Sequence, residues 1–298
     1  MTVIAKNQPS LPKVSLVTPI FNGIKDTVEF LNSLSNITYQ NYEIIIVDDG
    51  STDGSSEVII KQFPYVRLLQ GDGNLWWAGG TNLGVRDALE RGADFILTIN
   101  NYNVVSPDFL TALIETALAH RDCIIKSVGY DYIDKNKIWF FGGEIRWWRG
   151  RIEQLMRDID LENRTVEVPF ANGNSTLIPA KVFHEIGLYD EINCPQYHAD
   201  SELLLRAHKH GFRILVDNES VIYNKTEQCV GQSSEEMMTF PELIKERKSS
   251  YYFRANYKIY KEYCPNRFFW FFLFLRYAFL LKELAKRNFM GRLNARNL

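Results

Sequence analysis

The chain has 298 residues, of which 46% are hydrophobic and 13% aromatic, and its formal net charge is −2. This length is enough to bury a substantial core, as one large domain or as a domain with an extension. The near-neutral charge gives no support for a nucleic-acid binder, so we predict no nucleic-acid partner. The four cysteines are far apart and show no metal-ligand spacing, which predicts free thiols in a reducing compartment.

The first residues carry no pattern for export. Residues 1–12 are polar and include Pro9 and Pro12, instead of a basic stretch followed by an apolar one. We therefore predict a loose N-terminal arm on a cytoplasmic protein.

Strands and helical segments alternate over the first third of the chain. Such alternation predicts an α/β fold with a doubly wound, mostly parallel sheet flanked by helices. Gly79 and Gly80 mark the start of the third helix, which we place at Thr81. The predicted strands are Val14–Pro19, Glu43–Val47, Val66–Gln70 and Phe95–Ile99, and the predicted helices are Thr27–Asn36, Gly54–Gln62 and Thr81–Arg91.

The second half continues with less regular spacing. Residues 147–164 are charged and are predicted to be irregular, and residues 171–179 are predicted to form a loop that leads into Leu177 and Ile178. The predicted helices are Pro107–Ala119, Val182–Gly187 and Asp200–Gly211, and the predicted strands are Cys123–Tyr130, Lys137–Phe141, Arg213–Val216 and Ser220–Tyr223.

The C-terminal segment differs in composition and is predicted to be helical from Phe240 onward. The apolar run Phe268–Leu275 is interrupted by Arg276, which leaves it too short to span a bilayer. The last 17 positions carry five basic residues against Glu283. A basic, aromatic-rich helix favours peripheral contact with an anionic membrane surface. A helix pair that covers the domain or forms a homodimer is the alternative.

Polar residues follow the first two strands directly. Because parallel strands bring their carboxyl ends to one edge of a sheet, these two turns are expected to lie side by side. A carboxylate there can accept a hydrogen bond from the N3–H of uracil or thymine, and an aromatic ring can pack on the base. An ordinary turn that closes a strand is the alternative. The nucleoside-binding candidates are Pro19, Phe21, Asn22, Asp48 and Asp49.

The segment from Gly71 to Gly84 combines glycines with two tryptophans. Glycines let the backbone approach a ligand, and a helix that begins near Thr81 would offer free N–H groups to phosphate. Gly79 is therefore a nucleotide-binding candidate. Trp76 and Trp77 can wall the donor sugar, although at least one of them is expected to be a core residue.

These segments resemble the family 2 glycosyltransferases of GT-A fold, which open with a Pro-x-(Tyr/Phe)-Asn strand end and an Asp-Asp-Gly-Ser-x-Asp strand end. The glycine and tryptophan segment resembles a rhamnosyltransferase-like bacterial subgroup. The resemblance runs from about Val14 to Asn224 and implies that Asn82 lies near the donor. It also implies an inverting enzyme that moves a sugar from a UDP- or dTDP-sugar to a cell-surface polysaccharide or a lipid-linked oligosaccharide, at the inner face of the cell membrane.

The resemblance further implies a division of the chain. Residues 1–12 would be the arm, residues 13–235 the GT-A domain, and residues 236–298 a helical extension. Within the domain, residues 13–105 would bind the nucleotide and residues 106–235 the acceptor.

The sequence departs from the family where a metal is usually held. Relatives carry Asn-Asn-Asp or Asp-x-Asp after the fourth strand, and those carboxylates bind Mg²⁺ or Mn²⁺ that bridges the diphosphate. This chain has Asn100-Asn101-Tyr102-Asn103, and it lacks the usual histidine near Asn224. A divalent metal at Asn101 and Asn103, diphosphate binding by cationic side chains and helix dipoles, and a sugar-nucleotide-binding protein without activity all remain open. Asn101 is also a nucleotide-binding candidate and Asn103 a donor-site candidate.

The segment from Tyr197 to Ala207 resembles the acidic element of the family that carries the general base. The resemblance implies that Asp200 removes the acceptor proton, whereas by its position alone Asp200 could be a helix cap. His198 is an acceptor-site candidate. Upstream, the loop Asn172-Gly173-Asn174 resembles the one that closes over donor sugar and acceptor.

Overall fold

The computed structural model describes residues 11–149, 151–154, 161–225, 237–265 and 267–294. Within these ranges, ten strands form one sheet and two more form a hairpin. The strands are β1 (Val14–Ile20), β2 (Tyr42–Asp48), β3 (Arg67–Gln70), β4 (Phe95–Thr98), β5 (Asn103–Val105), β6 (Cys123–Asp131), β7 (Ile138–Phe140), β8 (Gly143–Arg146), β9 (Arg151–Gln154), β10 (Thr165–Glu167), β11 (Thr176–Pro179) and β12 (Arg213–Asn224). The helices are α1 (Ile24–Leu34), α2 (Ser55–Gln62), α3 (Trp76–Glu90), α4 (Phe109–Ala119), α5 (Ala180–Ile186), α6 (Ala199–Lys209), α7 (Phe240–Lys245), α8 (Phe253–Tyr263) and α9 (Phe269–Asn294).

The sheet confirms the predicted α/β class. Its strand order is β10-β12-β6-β11-β4-β1-β2-β3, with β5 paired to β12 and β7 to β6. β1 pairs in parallel with β2 and β4, β2 with β3, and β6 with β12. β11 joins the two groups because it is antiparallel to both β4 and β6. From β12 to β3, every strand except β11 therefore runs in one direction, and the ends of β1 and β2 share one edge.

The central strands are mostly apolar because helices cover both faces of the sheet. Val14, Leu16 and Val17 of β1 are all fully buried. Side chains that point to opposite faces fall into two separate apolar clusters: Val17 belongs to one, and Val14 and Leu16 to the other. The sheet is thus the middle layer of three.

Two glycines set the distance between α3 and β1. A Cβ at Gly80 would lie 2.9 Å from Cβ of Pro19, and a Cβ at Gly84 would lie 2.5 Å from Cγ1 of Val17. Since these positions are four apart, they share one helix face. The close approach brings the start of α3 next to the end of β1.

Several predicted elements are corrected by the structure. α3 begins at Trp76, five residues before the predicted start, because the two glycines lie inside the helix. The segment predicted to be irregular, residues 147–164, contains β9, which pairs with β8 just before the segment. The two last predicted strands are one strand, β12, whose pairing with β6 shifts register between Asp217 and Val221. Residues 1–10 of the predicted arm lie outside the described residues.

The C-terminal extension is helical, as predicted. No helix in the described ranges is both long and apolar enough to cross a membrane. Leu273, Arg276 and Leu280 of α9 are buried on one face, whereas Trp270 and Phe274 are more than half exposed on the other. Arg296 lies outside the described residues.

Candidate functional site

A cleft opens at the shared edge of β1 and β2, beside the start of α3. Its volume is about 280 Å³. Both strand-end turns, the glycine-rich segment, the loop before α6 and the C-terminal extension contribute to its walls. The lining residues are Pro19, Ile20, Phe21, Asp49, Gly73, Trp76, Trp77, Gln196, Tyr197 and Lys248.

Asp49 joins the turn after β2 to the glycine-rich segment. Its Oδ1 accepts a hydrogen bond from the backbone N–H of Gly73 at 2.8 Å, and its Oδ2 accepts one from the N–H of Trp76 at 3.0 Å. A Cβ at Gly71 would lie 2.5 Å from Oδ1 of Asp49, so this carboxylate needs a glycine there. Each carboxylate oxygen has two lone pairs, which leaves acceptor capacity for a ligand in the cleft.

The other acidic and amide candidates of this edge shape the two turns. Oδ1 of Asp48 accepts from the N–H of Ser51 at 2.8 Å, and Oδ2 accepts from the hydroxyl of Ser56. Oδ1 of Asn22 accepts from the N–H of Thr52 at 2.9 Å. Asp48 and Asn22 are close to the cleft without lining it, whereas Phe21, with 59% of its surface exposed, lines its mouth.

The predicted phosphate site at the start of α3 is corrected. The N–H groups of the first turn are already used: Trp76 donates to Asp49, Trp77 to Oε1 of Gln196 at 3.1 Å, and Ala78 to the carbonyl of Pro195 at 2.9 Å. The predicted phosphate site needs free N–H groups near Thr81. Because α3 begins at Trp76, Thr81 lies inside the helix and the N–H groups there are not at its N-terminus. Gly79 is buried within the helix.

Asn82 is also placed differently from the expectation. Its side chain is buried in α3, where Nδ2 donates to the carbonyl of Tyr189 at 2.9 Å and Oδ1 accepts from the N–H of Tyr189 at 3.0 Å. Nδ2 also donates to Glu191 at 2.7 Å. All of these contacts face the loop between α5 and α6, so Asn82 holds that loop and does not reach the cleft.

The residues at the usual metal position do not fit a divalent cation. Nδ2 of Asn103 donates to Oδ1 of Asn174 at 2.7 Å, and Nδ2 of Asn174 donates back to Oδ1 of Asn103 at 3.2 Å. Oδ1 of Asn100 accepts from Nε1 of Trp77 at 3.1 Å, and Asn101 donates to Thr27 at 2.9 Å. These oxygens are neutral, whereas Mg²⁺ and Mn²⁺ in proteins are held chiefly by carboxylates, and the amides of Asn100, Asn103 and Asn174 already bond to neighbouring groups.

The histidine that usually completes the metal site is replaced as well. Asn224, at that position, is fully buried, and its side-chain amide has no hydrogen-bond partner in the described part of the chain. Across the same described part, no group of three or more His, Cys, Asp or Glu side chains could hold a metal.

Asp200 lies next to the wall of the cleft. Its Oδ2 accepts from the N–H of Gly173 at 2.9 Å, and its Oδ1 accepts from the N–H of Ser201 at 2.7 Å. A Cβ at Gly173 would lie 2.9 Å from Cβ of Asp200 and 3.0 Å from Cη2 of Trp77. Gly173 is therefore enclosed between Asp200 and a tryptophan that lines the cleft. Two backbone donors orient the carboxylate, which keeps free lone pairs.

A buried lysine near this carboxylate escaped the sequence analysis. Lys126 of β6 is 1% exposed, and its Nζ donates to the carbonyl of Asn174. Burial lowers the pKa of Lys126 to about 7, while the negative charge of Asp200 acts in the opposite direction. The lysine stands in the mostly apolar segment Cys-Ile-Ile-Lys-Ser-Val, and a charged residue in such a segment was the available signal.

His198 connects the domain to the extension instead of facing an acceptor. Its Nε2 is 2.8 Å from the carbonyl oxygen of Ser250, which lies between α7 and α8. Burial, helped by the positive charge of Arg276, lowers the pKa of His198 to about 4. The ring is therefore neutral at pH 7, and Nε2 carries the proton that it donates to that carbonyl.

Lys248 is the second functional candidate that the sequence analysis missed. It precedes Ser250 in the same turn, and its Nζ lies 5.2 Å from the centre of the Trp76 ring. This contact places a cation from the extension in the cleft, together with Asp49 and Phe21. Nothing in a Lys-Ser-Ser-Tyr segment about 170 residues from Trp76 indicates this contact.

A mixed sheet flanked by helices, with a cleft at the strand-end turns of its parallel part, is the architecture of the GT-A-like glycosyltransferases. Residues 15–187 match the model of the family described as Glycosyl transferase family 2. The chain belongs to this family. The match includes Asp49, Trp77 and Gly173 and ends before Asp200. The rhamnosyltransferase-like subgroup stays a prediction.

Similar proteins agree with this assignment. An uncharacterized glycosyltransferase of Rickettsia felis is 26% identical over 266 residues, which cover 81% of this chain and 41% of that protein. The succinoglycan biosynthesis protein ExoA of Rhizobium meliloti is 26% identical over 219 residues, covering 70% of this chain and 62% of ExoA. This chain thus spans about two fifths of the length of the Rickettsia relative.

The fold is found in solved structures as well. A structure of GalNAc-T7 with UDP, GalNAc and Mn²⁺ superimposes with a TM-score of 0.62 at 15% identity, covering 73% of this chain and 44% of GalNAc-T7. This likeness confirms the GT-A-like fold.

Proposed function

We propose that the protein is an inverting glycosyltransferase that moves a sugar from a UDP- or dTDP-sugar to a polysaccharide or lipid-linked oligosaccharide, with Asp200 as general base. One observation carries the proposal: Gly173 lies in contact with both Asp200 and Trp77, and Trp77 lines the same cleft as Asp49. A carboxylate able to accept a proton thus adjoins a cleft of suitable chemistry for a nucleotide-sugar. The names of similar proteins support the substrate classes, since GalNAc-T7 was solved with UDP and GalNAc and ExoA is named for succinoglycan biosynthesis.

The proposed reaction is a single displacement at the anomeric carbon. The acceptor hydroxyl oxygen forms a bond to that carbon while the bond from carbon to the diphosphate oxygen breaks. The hydroxyl proton passes to the free lone pair of Asp200, and the nucleoside diphosphate leaves with the electron pair. Attack from the side opposite the leaving group inverts the configuration.

Each part of the chain has a role in this proposal. Residues 13–105 bind the nucleotide, with Asp49 and the exposed ring of Phe21 at the base. Residues 106–235 bind the acceptor, with Asp200 beside it. The loop Asn172–Asn174 and Trp77 hold the donor sugar between the two halves. Metal is not part of the proposal, because the amide oxygens at the usual position bond to neighbouring residues.

A binding protein without catalysis is the second candidate, and the replacement of the metal-binding carboxylate by Tyr102 and Asn103 favours it. Measuring sugar transfer or donor hydrolysis with chelator and with Mn²⁺ separates the two. We expect turnover that persists in chelator and falls at least 100-fold in Asp200→Asn, since the loss of a general base costs about 10²–10⁴-fold.

The control for this test is Glu90→Gln, which makes the same change on an exposed residue of α3. It should leave turnover unchanged. Nucleotide binding without any turnover in the wild type would favour the second candidate, and an Asp200→Asn variant with full activity would remove Asp200 from the mechanism.

We further propose that the extension contacts an anionic membrane surface at the inner face of the cell membrane, where a lipid-linked acceptor would be found. The outer face of α9 supports this, because it exposes Trp270, Phe271 and Phe274 next to the basic residues Lys282 and Lys286. Aromatic rings at the headgroup level and cations at anionic lipids are the features of interfacial helices.

A further inference from the structure

The C-terminal extension places a cation in the cleft of the glycosyltransferase domain. Lys248 belongs to the turn between α7 and α8, yet it lines the cleft with Pro19, Phe21 and Asp49. Its Nζ lies 5.2 Å from the centre of the Trp76 ring, within the range of a cation–π contact. No carboxylate in the described part of the chain forms an ion pair with it, so its charge is available to a ligand.

The turn that carries Lys248 is held firmly against the domain. The carbonyl of Ser250 accepts hydrogen bonds from Nε2 of His198 at 2.8 Å and from Nη2 of Arg276 at 2.8 Å. The guanidinium of Arg276 also lies 4.7 Å from the centre of the Tyr251 ring. Ser249 is fully buried, and its N–H donates to the carbonyl of Glu246 at 3.0 Å. The lysine therefore extends into the cleft from a fixed backbone.

The chemistry of the proposed reaction creates a need for such a charge. A departing nucleoside diphosphate gains negative charge as its bond to the sugar breaks, and a cation or hydrogen-bond donors in the site stabilise that charge. The asparagines at the usual metal position bond to neighbouring side chains, and the N–H groups at the start of α3 are used by Asp49, Gln196 and Pro195. Neither of these two sources can stabilise the diphosphate.

We propose that Lys248 binds the diphosphate of the donor and stabilises it as it leaves, so that the C-terminal extension completes the donor site. This inference rests on the proposed function, since it assumes a nucleotide-sugar in the cleft. The contact with Trp76 orients the ammonium, and the ligand would bring a phosphate oxygen into the same space.

The test compares nucleotide binding by isothermal titration calorimetry in the full chain and in Lys248→Gln, with chelator present. The ligands are UDP, dTDP and the nucleosides uridine and thymidine, which have no phosphate. We expect the better-bound diphosphate to lose about 10- to 100-fold in affinity, because a hydrogen bond to a charged group is removed. The affinity of its nucleoside should change less than about twofold, since an uncharged ligand gains nothing from the cation.

Two further variants make the result specific. Lys245→Ala removes another exposed lysine of the extension, at the end of α7, and should leave both affinities unchanged. Lys248→Arg keeps the charge and should retain most of the diphosphate affinity. If Lys248→Gln folds poorly, Lys248→Arg decides the question: an equal loss of diphosphate and nucleoside affinity in that variant would contradict the inference.

Distinct results would overturn the inference. Equal losses of diphosphate and nucleoside affinity in Lys248→Gln would mean that the lysine only shapes the cleft through Trp76. Unchanged diphosphate affinity in that variant, or a wild-type affinity that appears solely with Mn²⁺, would assign the charge elsewhere. If the wild type binds neither UDP nor dTDP nor their nucleosides, the proposed function fails, and the inference fails with it.

Discussion

At the scale of single residues, backbone strain is concentrated around the cleft. In the described part of the chain, five residues other than glycine have a positive φ, and four of them, Asn22, Trp76, Ser175 and His198, belong to segments that build the site. For a residue as bulky as tryptophan this conformation costs about 1–3 kcal/mol. Trp76, at φ 59°, holds its ring in the cleft against Lys248 while its N–H reaches Asp49. The strained backbone of Trp76 thus supports two contacts that the proposed function uses, with Lys248 and with Asp49.

The buried lysine beside the proposed base leads to a prediction at this scale. Its pKa falls from 10.5 to about 7 on folding. Between these values the unfolded chain binds more protons, so the free energy of unfolding contributed by Lys126 rises as the pH rises from about 7 to about 10.5. Lys126→Met removes this dependence. We expect the melting temperature of the variant, relative to wild type, to be highest at pH 7 or below and to decline toward pH 10.

Thermal unfolding followed by circular dichroism from pH 6 to pH 10 provides the measurement. Lys209→Met, on the exposed end of α6, serves as the control and should show a constant difference from wild type. A constant difference for Lys126→Met as well would show that the ammonium is not deprotonated on folding at neutral pH.

At the scale of elements, local patterns predicted the regular half of the sheet well. β1 and β2 are mostly apolar runs that end in polar turns, and that pattern predicted their bounds to within one residue and their parallel pairing. The short strands β5 and β10 could not be predicted, because each has three residues and forms only where β12 lies beside it. Their pairing is a property of the tertiary structure.

The start of α3 shows how a glycine pair can mislead. Gly79 and Gly80 have the composition of a turn, so the sequence placed the helix after them. In the structure the small residues serve packing, since Gly80 and Gly84 let α3 approach Pro19 and Val17 of β1. The shift of five residues also moves the helix N-terminus to Trp76, where side chains and a carbonyl use its N–H groups. Because α3 begins five residues earlier than predicted, the phosphate site expected at Thr81 is absent there.

The candidate site was predicted only in part, because local sequence patterns show strand ends but not contacts between distant segments. Residues on strand ends, such as Phe21 and Asp49, lie in the cleft as expected, because strand direction fixes where they point. Lys248 and Lys126 were missed, since their roles depend on contacts with segments distant in sequence. Asn82 and His198 lie close to the expected region, but their side chains bond to neighbouring loops.

At the scale of the whole molecule, the extension has two faces with different surroundings. The inner face of α9 buries Leu273, Arg276 and Leu280, while the outer face exposes Phe274 at 67%. We predict that Phe274→Asp weakens sedimentation with vesicles containing phosphatidylglycerol by more than about fivefold, because it places a charge in the apolar face of an interfacial helix. Leu118→Asp, at a 57% exposed position of α4, is the control and should have no effect.

Light scattering on the same variants addresses the alternative partner. If the wild type is a dimer that Phe274→Asp dissociates, and vesicle binding is absent in both, the outer face of α9 is an interface between two copies of the chain. Vesicle binding equal in wild type and Phe274→Asp would also contradict the membrane proposal.

A crystal structure of the Asp200→Asn variant with a bound UDP- or dTDP-sugar would test the proposed site most directly. We expect the nucleoside against Phe21 and Asp49, the diphosphate at Lys248, and the anomeric carbon facing residue 200 across a gap wide enough for one hydroxyl group. A donor held on another face of the sheet, or with its anomeric carbon turned away from residue 200, would contradict it.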